Sequence, residues 1–450
     1  MKTIKIGSGA GYGGDRIEPA IDLIERADLD YISFECLAER TIAIAMTQKR
    51  DDPAKGYNEL LEWRFEKILP ALSGKKTKVI TNMGAANPDA AAKRIAEMAG
   101  QLGIAGMKIA SVTGDDVGEY IKNHPGLEVM ETGLPLSELS GNIVSANAYC
   151  GAAGILKALE TDAQIIITGR VADPALFLAP LIHEFGWSLE NWDKLGTGTV
   201  AGHLLECSSQ VSGGYFADPG RKDVPDLWKV GFPYAVVGED GSIQITKLPE
   251  SGGMVTAATV KEQLLYEIHN PAAYLTPDVT ADFSAVTVED MGSNIVKVVG
   301  ATGHPKTGTL KVSVGYEDGY IGEGEISYGG PGAYERARLA GDILVKRLEY
   351  NNLNMEEVRV DLMGVNSLYG ESVSGKIHSA TDVSEVRLRL SVRTKDRAVA
   401  VAVGNEVEAL YLNGPYGGGG VRKYLREIMS VASVLIDESQ VSPTIRTWEV

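Results

Sequence analysis

The stretch that decides the fold is Ile4-Lys5-Ile6-Gly7-Ser8-Gly9-Ala10-Gly11-Tyr12-Gly13-Gly14-Asp15-Arg16. An apolar strand runs into a glycine-rich turn, and three of its glycines have the spacing G-x-G-x-x-G of a phosphate-binding loop before a helix. Because glycine has no side chain, the loop can approach an anion closely. The glycines predicted to do so are Gly9, Gly11, Gly13 and Gly14.

Two acidic residues qualify this hypothesis of a dinucleotide site. Glu35 closes the next apolar stretch about 20 residues further on, where a dinucleotide site has its ribose-binding carboxylate. Asp15 argues against a phosphate, because a carboxylate at the start of a helix competes for the same helix dipole. NAD(P) is therefore one hypothesis for the ligand of this loop and not the leading one.

Composition narrows the class of protein. The 450 residues predict about two domains, and a formal net charge of -17 disfavours nucleic acid and anionic membranes as partners. There is no apolar run of about 18 residues, and Met1 leads straight into a strand, so we expect a cytoplasmic protein. Cys36, Cys150 and Cys207 form no paired motif, and we expect reduced thiols.

Apolar strands alternate with amphipathic helices from residue 1 to about residue 225. This alternation predicts an α/β domain over 1–225 with a doubly wound, mostly parallel, Rossmann-like sheet. The six predicted strands are 4–6, 31–34, 78–81, 107–110, 143–146 and 165–168. Polar residues or glycines follow each strand, Glu35 and Glu39 among them, and the carboxyl ends of parallel strands share one edge. These polar clusters should converge.

Turn signals become dense after residue 225 and predict a second, α+β domain over 226–450. Residues 316–320 are interpreted as a hairpin turn. The remaining predicted elements are helices at 332–349 and 421–435 and strands at 358–362, 386–393 and 398–403.

Charged side chains follow two of the predicted strands. Arg170 could clamp a substrate carboxylate bidentately while Asp173 orients it or acts as a base, or the two could form an internal salt bridge. Asp115 and Asp116 could bind a divalent metal or divide acid and base roles between them. The alternative is that they only cap a helix.

A second group of candidates lies further along the chain. His203, Glu206 and Cys207 would share one face of a helix, which suits an acid–base pair, a nucleophile with its base, or a metal site. A buried structural histidine is the alternative. The predicted edge also carries three side chains that could hold an oxyanion or enolate, or only fold the loops: Asn82, Asn147 and Tyr149.

A second glycine loop stands before the last predicted helix, whose first turn carries two cations. Such a loop suits a phosphate, a coenzyme A pyrophosphate or a carboxylate, and a tight connector is the alternative. Its glycines are Gly417, Gly418, Gly419 and Gly420.

Taken together, these residues resemble those of the acyclic terpene utilisation (AtuA) family of bacterial proteins. The matching stretches cover most of the chain and lie at 13–16, 29–32, 37–39, 81–82, 87–88, 114–116, 146–149, 167–173, 202–207 and 274–279. The resemblance implies a place in the catabolism of acyclic terpenoids and branched acids through coenzyme A thioesters, without an assured reaction. Longer family members continue into a ferredoxin-like domain, which we expect here to be absent or a separate partner.

The leading hypothesis is an enzyme that acts on a small organic acid or its coenzyme A thioester as a lyase or hydratase. Abstraction of a proton beside a carbonyl needs a base, an enolate holder and an anion clamp. The side chains proposed for these roles are Glu35, Asp173 or the His203–Glu206 pair as base, Asn82 and Asn147 as enolate holders, and Arg16 and Arg170 as clamps. The alternatives are an NAD(P)-dependent oxidoreductase and a non-catalytic subunit of a ferredoxin-like partner. We expect a homo-oligomer.

Overall fold

The computed structural model of the chain describes residues 2–374 and 383–450, which divide by their contacts into two units. Unit 1 is made of Met1–Glu138, Val144–Gly315 and Val431–Val450. Unit 2 is made of Leu139–Ile143 and Tyr316–Ser430. This division differs from the predicted boundary at 225 and 226, because strands that follow residue 225 pair into the first sheet.

The strands, in chain order, are β1 Thr3–Ala10, β2 Tyr31–Phe34, β3 Lys78–Thr81, β4 Lys108–Thr113, β5 Ile143–Ala148, β6 Ile165–Thr168, β7 Pro233–Gly238, β8 Ile243–Lys247, β9 Tyr274–Leu275, β10 Thr280–Asp282, β11 Thr287–Asp290, β12 Val296–Val299, β13 Thr302–His304, β14 Thr309–Gly329, β15 Glu357–Met363, β16 Glu385–Thr394, β17 Gly419–Asp437 and β18 Thr444–Glu449. The helices are α1 Glu18–Arg26, α2 Glu39–Asp51, α3 Leu61–Leu72, α4 Pro88–Gln101, α5 Gly118–Asn123, α6 Ala153–Leu159, α7 Ala175–Phe185, α8 Trp192–Glu206, α9 Ala257–Leu265, α10 Ala333–Tyr350, α11 Gly370–Ser374 and α12 Arg397–Asn413.

Unit 1 is built on a ten-stranded mixed sheet in the order β11-β12-β8-β7-β1-β2-β3-β6-β4-β18. Neighbours from β1 through β2, β3 and β6 to β4 are parallel, and β7 and β18 flank them antiparallel. The predicted α/β class is therefore confirmed. The Rossmann-like double winding is not confirmed, because β1 pairs with antiparallel β7 and not with a second parallel strand. β5 lies outside this sheet and pairs with β14.

Both faces of the parallel strands are buried, which explains why the apolar residues of β6 follow one another without alternation. On β6, Ile166 packs in the core formed with α6, α7 and α8, whereas Ile165 and Ile167 pack in the core formed with α1, α3 and α4. Successive side chains of a strand point to opposite faces, so a continuous apolar run supplies both cores. Each strand thus ends at a fixed place between two helical layers.

Unit 2 contains an antiparallel sheet in the order β15-β16-β14-β17. Every second residue of β16 is buried, Val386 through Val392, and packs with α10 and α12. The predicted α10, β15 and β16 are confirmed.

Three predictions in the second half were wrong. The alternating apolar residues at 398–403 belong to α12, where Asp396 caps the amide of Ala398 and the buried face has helical spacing. Residues 421–435 lie in β17 and 316–320 lie inside β14. Gly319 has a φ of +89°, which glycine tolerates inside a strand where the sequence indicated a turn.

Among the described helices, none combines the length and apolar character that crossing a membrane requires.

The packing of α8 against β13 gives a test of the fold. A Cβ atom at Gly196 would overlap the carbonyl group of Thr302 and lie 3.0 Å from the amide nitrogen of Gly303. We expect Gly196→Ala to lower the free energy of unfolding by about 2 kcal/mol in urea denaturation, because backbone must move. Gly126→Ala is the control, since no atom lies within 4 Å of its added Cβ. Equal stability of the two variants would contradict the packing.

Candidate active site

A cleft of about 580 Å³ lies in unit 1 where β1, β2 and β6 end and where α8 ends. Gly11 follows β1, and Cys207 follows α8. We call it the acid cleft, because its lining carries one guanidinium, that of Arg170, and six carboxyl groups: Asp15, Glu35, Glu39, Asp173, Glu206 and Glu267. The convergence predicted for the strand ends is thus found for three loops.

Arg170 joins the loops that follow β2, β5 and β6. Its side chain is 2% exposed, and Nη2 donates to Asp173 Oδ1 at 2.7 Å, while Nη1 donates to the carbonyl oxygen of Leu37. The guanidinium also lies over the ring of Tyr149, 3.9 Å from its centroid. These contacts are the internal ion pair that the sequence left open as the alternative to a substrate clamp.

Glu35 is a buried carboxyl group at the wall of the cleft. Its Oε1 accepts from the amide of Leu37 at 2.9 Å and from Asn82 Nδ2 at 3.0 Å. Asn82 Oδ1 accepts from the amide of Cys36 at 2.7 Å, so Asn82 positions Glu35 from behind and does not line the cleft. Burial, aided by the charge of Asp173, raises the pKa of Glu35 to about 8. Glu35 is therefore mostly protonated at neutral pH.

Glu206 and His203 share a proton. His203 Nε2 lies 2.9 Å from the carbonyl oxygen of Gln263, which can only accept, so Nε2 must carry hydrogen. His203 Nδ1 lies 2.8 Å from Glu206 Oε1, and one proton must lie between them, on the imidazole or on the carboxyl group. Burial raises the pKa of Glu206 to about 7, against the pull of His203.

Only one member of this pair faces the cleft. Glu206 lines it, and Glu206 Oε2 is buried without a hydrogen-bond partner among the described residues. His203 is 1% exposed and lies behind Glu206. It contacts Glu206 rather than the cleft, so it is a positioning residue. Cys207 lines the cleft, and burial raises the pKa of its thiol.

The pKa of Glu39 is shifted in the opposite direction from that of Glu35. The hydroxyl of Tyr149 donates to Glu39 Oε1, and Lys311 Nζ lies 3.4 Å from the same oxygen. Burial would raise its pKa, but the Tyr149 hydrogen bond and the charges of Arg170 and Lys311 lower it to about 2. The acid cleft thus holds carboxyl groups whose pKa values are moved in opposite directions.

Asp115 and Asp116 lie in different surroundings. Asp115 Oδ2 accepts from Asn147 Nδ2 at 2.8 Å and from the amide of Arg170 at 3.0 Å, so Asn147 positions Asp115. Asp116 accepts from the amide of Gly118 at the start of α5, as a helix cap does. Within 2–374 and 383–450, no three His, Cys, Asp or Glu side chains are placed to bind one metal ion.

The first glycine loop is filled by the protein itself. Gly9 lies inside β1, and the ring of Phe34 takes the place that a Cβ would need. Gly11 packs on the backbone of Cys207, and its amide donates to Asp15 Oδ2 at 2.9 Å. The carboxylate of Asp15 therefore binds the amide that the motif predicted for a phosphate.

Two further predicted binding groups lie outside the acid cleft. Arg16 Nη1 donates to the carbonyl oxygen of Trp228 at 2.9 Å and does not line the cleft. The second glycine loop lies in unit 2 and leads into β17, so its predicted place before a helix was wrong. The glycines concerned are Gly417, Gly418, Gly419 and Gly420.

An apolar lobe of about 490 Å³ adjoins the acid cleft and shares Tyr12, Glu35, Leu37 and Ala38 with it. Gly13 and Gly14 line this lobe rather than the acid cleft. Its other lining residues include Ile44, Tyr57, Leu60 and Ala85. Glu35 therefore stands at the junction of a polar and an apolar space.

Sequence reasoning missed four residues of the cleft. Glu39 was noted as a polar residue after the second predicted strand, but nothing in the sequence pattern pointed to a role for it. Tyr215 and Glu267 line the cleft with left-handed backbone, at φ of +61° and +59°. Such strain in residues other than glycine is common at functional sites, yet no sequence signal marks it. Tyr266 has no distinguishing pattern either.

The two extreme carboxyl groups predict opposite effects on stability. Glu35 has a raised folded pKa, so ionising it costs stability as pH rises through 4.5 to about 8, and Glu35→Gln escapes this loss. From pH 5 to pH 9 we expect urea denaturation to show stability moving in favour of the variant by about 2 kcal/mol or more.

Glu39→Gln is the matched variant of opposite sign. The lowered pKa of Glu39 contributes stability above pH 4.5, which is lost as pH falls through about 2. Because Glu39 is 40% exposed, we expect the variant to lose only about 1 kcal/mol at pH 7. Parallel pH dependence of both variants and the unsubstituted protein would contradict the assignment.

Comparison with known proteins bears on this site. The sequence model of the acyclic terpene utilisation family protein AtuA matches residues 4–447, nearly the whole chain. Searches among curated proteins and among solved structures gave no match. The family match covers every residue of the acid cleft and of the apolar lobe. The chain therefore belongs to the acyclic terpene utilisation (AtuA) family.

Proposed function

We propose that this AtuA-family protein is an acid–base enzyme, a lyase or hydratase, that acts beside the carbonyl of a small organic acid or its coenzyme A thioester. The observation that carries the proposal is the pair Glu35 and Glu206, two carboxyl groups of one cleft with pKa values raised to about 8 and about 7. Catalytic acids and bases need pKa values near the working pH. When their surroundings shift the pKa values of neighbouring carboxyl groups in opposite directions, one group can act as the acid and another stays ionised, as Glu39 does.

Glu206 is the base in this proposal. Glu206 lines the cleft, and its Oε2 has no hydrogen-bond partner among the described residues. His203 Nδ1 can take the shared proton, so that the carboxylate is free to accept another. The proton beside the substrate carbonyl moves to Glu206, and the electrons of the broken C–H bond form a carbon–carbon double bond.

Glu35 is the acid. Protonated at neutral pH, it gives its proton to the departing hydroxyl oxygen, which leaves as water, and hydration is the same path reversed. Asn82 holds one Glu35 oxygen, and Arg170 fixes Asp173 beside them. The steps use only these side chains.

Charge and shape point to the thioester rather than to the free acid. Six carboxyl groups and one guanidinium line the acid cleft, and such a lining repels the carboxylate of a free-acid substrate. A thioester carbonyl is neutral and accepts a hydrogen bond from a protonated carboxyl group. The apolar lobe that shares Glu35 can take a hydrocarbon chain of the acyl group.

Proton exchange tests this function without knowledge of the natural substrate. The full chain is incubated in D₂O with short and branched acyl-coenzyme A thioesters and the matching free acids, and deuterium beside the carbonyl is measured by mass spectrometry. We expect exchange into a thioester, reduced by about 100-fold or more in Glu206→Gln. Glu119→Gln, an equal change at a fully exposed site, should keep the rate of the unsubstituted protein.

Two results would overturn the proposal. Exchange that is absent with every compound until a ferredoxin-like partner is added would support the non-catalytic subunit instead. Turnover that requires NAD(P) would support the oxidoreductase.

The pH profile of exchange tests the roles of the two carboxyl groups. Glu206 must be ionised and Glu35 protonated, so we expect a bell-shaped dependence of kcat/KM with limbs near pH 7 and pH 8. His203→Gln removes the proton-sharing partner and should move the acid limb while leaving the alkaline limb in place. A variant profile that coincides with that of the unsubstituted protein would contradict the role of His203.

A further inference from the structure

The apolar lobe runs along one face of α2. The residues of α2 that line it are Thr41, Ile44, Ala45 and Gln48, which have the spacing i, i+3, i+4 and i+7 of a single helix face. Glu39, the first residue of α2, lines the acid cleft instead. The lobe therefore begins beside the acid cleft and follows α2 away from it.

The rise of the helix measures how far the lobe extends. At about 1.5 Å per residue, Ala45 lies about 9 Å along α2 from Glu39. Three bonds of an extended chain span about 3.6 Å, so about seven or eight carbons cover this distance. An acyl chain that starts beside Glu35 therefore reaches Ala45 at about its eighth carbon.

The far end of the lobe is closed at the level of Ala45. Gly56 packs against this turn of α2, because a Cβ atom at Gly56 would lie 2.9 Å from the carbonyl oxygen of Ala45. Tyr57 follows Gly56, lines the lobe and is 8% exposed. The amide of Ala86 donates to the carbonyl oxygen of Gly56 at 2.9 Å, which brings the neighbouring Ala85 to the same end. A chain that reaches this end meets packed protein.

The ring of Tyr57 is anchored from behind. Its hydroxyl donates to Glu62 Oε1 at 3.1 Å, and Arg94 donates to Glu62 Oε2 from Nη2 at 2.7 Å and from Nε at 3.0 Å. Burial and the hydrogen bond to Glu62 raise the pKa of Tyr57 to about 12, so the hydroxyl stays neutral. The end wall is thus an aromatic ring held by its own hydrogen bonds.

The interior of the lobe suits a hydrocarbon chain. Cys36 is 1% exposed, and burial raises the pKa of its thiol to about 12, so this side chain is uncharged. The two carboxyl groups of the lining are Glu35, at the junction with the acid cleft, and Glu59, which is exposed and accepts from Gln48 Nε2 at 2.7 Å. Apolar groups leave water most favourably for a space of this kind.

We propose that the apolar lobe selects acyl chains of medium length, about eight carbons counted from the thioester carbonyl, and that Ala45 sets this limit. Ala45 lines the lobe at the turn of α2 against which Gly56 and Tyr57 close it. A larger side chain at this position would occupy the place of the last carbons. The inference rests on the proposed thioester substrate, but its readout is binding and needs no turnover.

Calorimetry of the full chain at pH 7 tests the limit. The probes are straight-chain, saturated acyl thioesters of N-acetylcysteamine, from butanoyl to dodecanoyl. They are neutral and carry no hydroxyl group to eliminate, so the experiment measures binding alone. We expect the affinity to rise about 3- to 4-fold with each methylene up to about eight carbons, and then to stop rising.

Substitutions locate the limit on α2. Ala45→Leu should move the plateau to chains about two carbons shorter, and the smaller change Ala45→Val should move it by about one carbon. Ala54→Leu, the same enlargement at an exposed residue, should leave the profile of the unsubstituted protein unchanged. Circular dichroism checks that each variant folds, and Ala45→Val serves where the leucine is too large for the fold.

The inference fails if affinity is independent of chain length, if it keeps rising to dodecanoyl, or if the plateau stays in place in a folded Ala45 variant. The proposed reaction is tested separately by deuterium exchange. A chain-length profile without exchange leaves the inference standing and removes the reaction, whereas exchange without a chain-length profile does the reverse.

Discussion

The buried guanidinium of Arg170 is the constraint on which the loops around the acid cleft depend. The Arg170 side chain is 2% exposed, so its positive charge needs partners within the protein. Asp173, the carbonyl group of Leu37 and the ring of Tyr149 are these partners. These groups come from the loops after β6, β2 and β5. Because a guanidinium is planar and rigid, satisfying it fixes the distances between three loops at once. The cleft is the space left beside them.

The division of pKa values follows from the same arrangement. Tyr149 stacks on Arg170 and also donates to Glu39, so Glu39 gains a hydrogen bond and positive charges that keep it ionised. Glu35, at the start of the same loop, accepts hydrogen bonds from the neutral groups of Leu37 and Asn82, and burial is the largest influence on its pKa. Both carboxyl groups feel the charge of Arg170, but Glu39 also gains the Tyr149 hydrogen bond and the charge of Lys311, whereas at Glu35 burial and the charge of Asp173 raise the pKa.

Periodicity predicted the elements whose surroundings agree with their local pattern. The strands of the parallel sheet are apolar runs buried on both faces, and α10 and β16 have clear spacings. The prediction failed at 398–403, where alternating alanine and valine fit a strand as well as a helix, and at 421–435, where pairing with β14 decides the structure. Pairing between distant segments leaves no mark in a local window.

The same limit applies to the site. Position at strand ends predicted Glu35 and Asp173, and spacing along a helix predicted Glu206, but neither pattern predicted the direction of any side chain. Only the contacts show that Asn82 and His203 stand behind the carboxyl groups as positioning residues. The glycine loop illustrates the reason most clearly. Its missing side chains make room for Phe34 and Cys207, and Asp15 binds its amide, so a spacing that elsewhere admits a phosphate here admits the protein's own core.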